Sequence, residues 1–516
     1  MFRVERAALA AALSLVSTAV AWAADKPQVK IQDGKLKGSY SETAKIYAFK
    51  GIPYAAPPVG NLRWEPPQPE AKWKGTLEAT EFGARCMQAR LFEDMVFRDK
   101  GPSENCLYLN VWTPSLSNKQ KLPVMFWIHG GGFVAGAASE PRQDGENLAK
   151  LGVVVVSLNY RLTVFGFFAH PELTQASSHH ASGDYGLMDM AAALGWVKKN
   201  IKAFGGNPEK VTIFGESAGS WAVSDLMASP VSKDLFAGAI GESGAGFSNT
   251  SLAMPTLEES EKADAAFASS INAASVTALR AIPADELLKD SLKPAGGARF
   301  TPNIDGYFLP EALPAIYAAG KQAHVPLLAG WNQDEGGTPA TSKATMESFA
   351  ADAQKHYGDK ADEFLKLYPA ATAEETKTSA AALARDNFIA FATWKWIEAQ
   401  TATGQAPVYR YLFTHVQPPP NDVRGAYHSA EIEFVFEDLD WKKLDWRESD
   451  RQMSALMAGY WTNFAKRGDP NGKGLPNWPQ YKASDGYEVM HLDIPPRVIP
   501  EEHRDRYLFM EANPAH

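Results

Sequence analysis

Only two cysteines occur in the 516 residues, Cys86 and Cys106, so a cysteine-rich zinc site is excluded. Lysine and arginine never gather into the long basic run that follows a phosphate backbone. The formal net charge is −9 and the pI is near 5.7, so nucleic acid is not an expected partner. Beyond the N-terminus no apolar stretch approaches the ~18 residues a membrane span needs, so stable membrane insertion of the mature chain is not expected. Glycine (40) and proline (34) are too sparse for a low-complexity or collagen-like chain. What remains is ordinary: 45% hydrophobic and 22% charged residues, in a chain long enough to bury a large core.

The N-terminus is the first informative segment. Arg3 and Arg6 precede an apolar stretch from Ala7 to Val20, and Ala21-Trp22-Ala23 then fits an A-x-A cleavage pattern. The apolar run of about 14 residues is too short to cross a bilayer comfortably. Residues 1–23 therefore read as a secretory signal peptide and 24–516 as the mature chain; an uncleaved N-terminal helix is the alternative. Export would place the protein in the periplasm or outside the cell. There an even pair of cysteines reads as a disulfide, Cys86–Cys106, with two separate buried thiols as the alternative. Closing a loop of about 20 residues would contribute on the order of 3 kcal/mol.

Short β-rich runs without polar alternation suggest strands buried on both faces. They are Val124 to Ile128, Val153 to Leu158, Val211 to Phe214, Ala237 to Ile240, Val325 to Ala329 and Val408 to Phe413. Between two of them, Leu187, Met190, Ala191, Leu194, Val197 and Ile201 recur at near-helical spacing from Leu187 to Ala203. The sequence Gly205-Gly206-Asn207-Pro208 then stops that helix. Alternating strands and helices predict an α/β fold with a mostly parallel sheet covered on both faces. No linker divides the chain. The stretch 251–384, richer in Ala, Lys, Glu and Asp, is expected to be a helical insertion within one domain.

Gly215-Glu216-Ser217-Ala218-Gly219 fits G-x-S-x-G, and its setting matters more than the pentapeptide. An apolar strand precedes it and a helix-like run, Trp221 to Met227, follows: the strand, tight turn and helix that lift a nucleophilic serine clear of a sheet. Gly241-Glu242-Ser243-Gly244-Ala245 looks similar but ends in alanine with no clear helix behind it, so Ser243 is expected to be structural. His129-Gly130-Gly131-Gly132 follows another strand and fits an oxyanion loop. Gly131, Gly132 and Ala218 are the candidate N–H donors, and losing one such donor typically costs about 2.7–4 kcal/mol in the barrier. His129 itself is expected to orient the loop.

The run from Phe204 to Gly219 resembles the serine signature of the type-B carboxylesterases, the cholinesterase-like esterases and lipases. Glu104-Asn105-Cys106-Leu107-Tyr108-Leu109-Asn110-Val111 is similar to that family's second signature, with Asn105 departing from the usual acidic residue or glycine. Phe49 to Ala55, Asn159-Tyr160-Arg161 and Trp461 to Ala465 extend the likeness over nearly the whole mature chain. The resemblance implies an α/β-hydrolase fold, no cofactor or metal, and a small-molecule ester as partner. It also places the rest of a triad. Glu335 in Gly330-Trp331-Asn332-Gln333-Asp334-Glu335-Gly336 matches the family's acid, with Asp334 as runner-up. His428 matches its histidine, in the order nucleophile, acid, histidine. Hydrolysis through an acyl-enzyme on Ser217 is then the expected function. The alternatives are a non-catalytic binding protein, an acyltransferase and a long-chain lipase. A histidine base in its ordinary state would titrate near pH 6.5.

Overall fold

In the computed structural model the described residues are 27–248, 252–294, 297–337 and 341–514. Residues 1–23, expected to be a signal peptide, lie outside them. Eleven strands form the main sheet. In chain order they are β1 (Ser39–Ser41), β2 (Ile46–Pro53), β3 (Tyr108–Thr113), β4 (Leu122–Ile128), β5 (Val154–Leu158), β6 (Gly206–Glu216), β7 (Gly238–Glu242), β8 (Leu327–Asn332), β9 (Val408–Phe413), β10 (Glu488–Leu492) and β11 (Arg497–Pro500). Their order across the sheet is β11-β10-β9-β8-β7-β6-β4-β5-β3-β2-β1. From β10 to β5 every neighbouring pair is parallel, and the pairs at both margins are antiparallel. This is the mostly parallel sheet that the sequence predicts.

The central strands read as unbroken apolar runs because both sheet faces are covered. Along β4, Val124, Phe126 and Ile128 join one hydrophobic layer while Met125 and Trp127 join the other. The helices that matter for the site are α1 (Tyr185–Asn200), α2 (Ala218–Ala228), α3 (Leu257–Ser270), α4 (Ala373–Arg385), α5 (Phe391–Thr403) and α6 (Glu448–Arg467). Trp394, Trp396 and Ile397 of α5 belong to the first layer; Met453, Met457, Trp461 and Phe464 of α6 belong to the second. A fully buried side chain of this size contributes about 1.5–3 kcal/mol relative to exposure, so the two layers carry most of the fold's stability.

One expectation needs correction. The stretch 251–384 is largely helical, but it is not one insertion: β8, in the middle of the sheet, passes through it and splits it in two. The helix stop falls at Gly205, as expected. After α1 a 3-10 turn, Ile201–Phe204, ends at Gly205 with φ +77°, and Gly206 already begins β6, whose register slips before Val211. The cysteines form the expected disulfide, Cys86–Cys106, with a Cα separation of 4.9 Å and both residues buried. No helix among the described residues is long and apolar enough to cross a membrane.

Candidate active site

The carboxyl ends of β4, β6, β8 and β9 converge on one point, where open parallel sheets collect their functional loops. β6 ends at Glu216, and Ser217 follows with φ +56° and ψ −121°, a strained turn from which α2 departs at once. The turn requires glycine at 219: a Cβ there would lie 2.0 Å from the Ile128 carbonyl oxygen of β4. Ser217 N–H donates to the Glu242 carbonyl of β7 at 2.8 Å, which anchors the turn to the next strand.

β8 delivers Glu335 and the loop beyond β9 delivers His428. The His428 ring lies 2.9 Å from Ser217 Oγ through Nε2 and 2.9 Å from Glu335 Oε1 through Nδ1. A carboxylate only accepts, so Nδ1 donates to Glu335, and once the ring is neutral Nε2 is left to accept from the Ser217 hydroxyl. Asp334, the runner-up, points elsewhere: its Oδ2 accepts from Ala426 N–H at 2.8 Å and ties the two loops together. The structure thus brings Ser217, Glu335 and His428 into one hydrogen-bonded chain.

The glycine loop after β4 lies beside Ser217. Gly131 adopts φ +103°, and a Cβ there would meet the Ala135 carbonyl oxygen at 2.3 Å, so only glycine fits. Gly132 and Ala218 border the same pocket as Ser217. The Ala218 N–H is one of the first-turn donors that a helix leaves unpaired. His129 turns away from the pocket. It is buried, stacks on Tyr160 at 4.4 Å, and burial lowers its pKa to about 4, so it is a neutral loop support. Ser243 is fully buried behind the elbow, and among the described residues its hydroxyl makes no hydrogen bond. His179, exposed, stacks on Tyr307, and His415 lies between Asp450 and Asp493.

The sequence carries no pattern for the buried carboxylates under the triad. Glu216 Oε1 lies 3.3 Å from His428 Nε2. Burial pushes Glu216 up to about 7 against the pull of His428 and Arg142. Burial likewise pushes Glu242 up to about 8, although the Trp461 indole N–H donates to it at 2.7 Å. Glu431, which accepts from the Asn332 amide, is also raised well above the ordinary range by burial and by Glu216. Burial opposes a charged His428, but Glu216, Glu335 and Glu431 outweigh it and raise its pKa to about 9. The pocket above Ser217 has a volume of about 160 Å³ and apolar walls that include Phe133, Trp221, Leu252, Met254 and Ile389. Phe388 also lines it and meets the His428 ring edge-on at 5.1 Å.

A serine on a nucleophile elbow, a histidine and a glutamate in hydrogen-bonded series, and N–H donors beside them define an α/β-hydrolase of the serine-hydrolase class. Residues 25–509 match the carboxylesterase family, and the chain belongs to it: it is a carboxylic ester hydrolase. It is 37% identical over 499 residues to a fumonisin B1 esterase of Sphingopyxis macrogoltabida, covering 92% of this chain and 89% of that one. It is equally 37% identical over 503 residues to a para-nitrobenzyl esterase of Bacillus subtilis, covering 93% and 98%. Among solved structures, a Geobacillus stearothermophilus carboxylesterase superimposes with a TM-score of 0.81 at 32% identity, covering 93% of this chain and 99% of that one.

Proposed function

We propose that the protein is an exported serine carboxylesterase that splits small, largely apolar carboxylic esters through an acyl-enzyme on Ser217. The observation that carries this reading is the unbroken series Ser217–His428–Glu335, with 2.9 Å at each link, opening into an apolar pocket. Ser217 Oγ attacks the ester carbonyl carbon while its proton passes to His428 Nε2. Glu335 accepts the Nδ1 hydrogen bond and stabilises the imidazolium that forms. The carbonyl oxygen becomes negative among the N–H groups of Gly131, Gly132 and Ala218. As the tetrahedral carbon collapses, the C–O bond to the alcohol breaks and His428 returns the proton to the departing oxygen. Water then repeats the sequence on the acyl-enzyme, releasing the acid and restoring Ser217.

Export rests on the basic start, the short apolar stretch and the Ala21-Trp22-Ala23 site, together with a disulfide of the kind oxidising compartments maintain. The periplasm or the medium is the expected destination. N-terminal sequencing of the exported protein should begin at Ala24; Met1 on protein outside the cytoplasm would contradict cleavage.

Dissolved p-nitrophenyl esters of increasing chain length test the activity. Turnover should proceed on monomeric butyrate ester and require no lipid–water interface. Ser217→Ala should lower kcat by at least about 10⁴-fold in a folded protein. Ser243→Ala should stay near wild type. Undiminished hydrolysis by pure Ser217→Ala protein would overturn the reading.

A further inference from the structure

Behind the acid's loop, away from Ser217, lies a second cavity of about 690 Å³. Arg385, Arg410, Arg424, Arg506, His491 and His503 all line it. Its walls include Asp334 and Gly336 beside Glu335, and Arg424 and Gly425 on the segment leading into His428. The triad chemistry uses none of these side chains.

The arginines are unequally paired. Arg385 is occupied: Nε and Nη2 both donate to Asp386 Oδ1, at 2.9 and 2.7 Å. Arg410, on β9, is 1% exposed and its guanidinium carbon lies over the Trp331 ring, 3.3 Å from the centroid. Its Nε forms an ion pair with Glu501 at 3.3 Å, and among the described residues neither Nε nor Nη1 has a partner in good hydrogen-bond geometry. A guanidinium this deeply buried normally satisfies its donors. Arg506 gives Nε to the Leu367 carbonyl and lies over Tyr368, and Arg424 lies over Tyr427. Among the described residues neither has a carboxylate within ion-pair distance. Three carboxylates line the cavity: Asp334 accepts from Ala426 N–H, Glu501 faces Arg410, and Glu502 is exposed. Four arginines thus face three carboxylates across the cavity. Burial together with Arg506 and Arg385 holds His503 down at about 4, and burial with Arg410 also lowers His491.

We propose that this cavity is a binding site for a small multivalent oxyanion, of the phosphate or polycarboxylate class, held by Arg410, Arg424 and Arg506. Glu501 already faces Arg410, so a monovalent carboxylate would answer only one of the two other guanidiniums, whereas a di- or trivalent anion presents enough oxygens for both and for Nη1 of Arg410. Planar, permanently charged guanidiniums preset on aromatic faces suit such oxygens. The bound anion would bridge the loop carrying Glu335 and the segment leading into His428.

Isothermal titration of the full-length mature protein tests the site, with citrate, inorganic pyrophosphate and acetate at matched ionic strength. Citrate or pyrophosphate should bind saturably at one site per chain, and whichever binds identifies polycarboxylate or phosphate as the source; acetate should not saturate. Arg424→Gln and Arg506→Gln, both accessible positions that leave Arg410 and the core intact, should each weaken binding by about tenfold. Both variants should keep esterase turnover, which shows that they are folded. Ser217→Ala should bind the anion as wild type does, separating this site from the ester pocket. No saturable heat from either polyanion, binding untouched by both arginine substitutions, or binding lost in Ser217→Ala would each overturn the proposal.

Discussion

Glu216 occupies the variable position of G-x-S-x-G, yet its carboxylate lies against the same ring nitrogen that faces Ser217 Oγ. Nothing in the pentapeptide announces this. Where a side chain at that position points depends on how β6 meets the turn, and burial of a carboxylate is a tertiary fact. Its consequence is electrostatic. A negative neighbour favours imidazolium, so His428 holds its proton to higher pH than an ordinary histidine near 6.5. Only neutral His428 can act as base. kcat/KM should therefore rise with pH through an apparent pKa above 6.5, toward the value of about 9 that the surrounding carboxylates produce. Glu216→Gln keeps the shape, removes the charge and should shift the rise to lower pH. A wild-type midpoint at or below the ordinary histidine value, unmoved by Glu216→Gln, would contradict this account of the base.

At the scale of elements, legibility tracks burial. β4, β6 and β9 are readable because apolar residues fill both faces of each, and the elbow is readable because its glycines are demanded by backbone contact with β4. The edge strands β1 and β11 carry no such signal: Ser39–Ser41 and Arg497–Pro500 have no fully buried residue. β8 starts at Leu327, two residues after Val325, and runs on through Gly330, Trp331 and Asn332, so its polar-looking end belongs to the strand. Composition alone merged the helices on either side of β8 into one insertion. The loop after β8 was partly legible, in that Glu335 and Asp334 were both candidates for the acid. Packing separates them, because Asp334 is taken by Ala426 N–H and Glu335 by the histidine. Glu335→Gln should lower kcat by about 10⁴-fold, as a comparable acid-to-amide change does in another triad. Asp334→Asn retains an oxygen for Ala426 and should remain within about tenfold of wild type, with circular dichroism confirming that both variants are folded. The reverse ranking would transfer the acid's role to Asp334.

Across the whole molecule, three loops far apart in sequence are held at one sheet edge by seven consecutive parallel strands. The sheet fixes where Ser217, Glu335 and His428 meet, and the two apolar layers keep it rigid. Order along the chain made the triad readable from motifs; the carboxylates beneath it and the arginine-lined cavity behind it depend on residues that only folding brings together. The central claim is that this scaffold activates one serine. Peptide mass spectrometry after treatment with a fluorophosphonate measures that directly, since only an activated oxygen displaces fluoride at an appreciable rate. One adduct per chain should appear, on Ser217, in step with the loss of esterase activity, and His428→Gln should abolish it. Complete inactivation with Ser217 unmodified, or an adduct on Ser243 instead, would contradict the account.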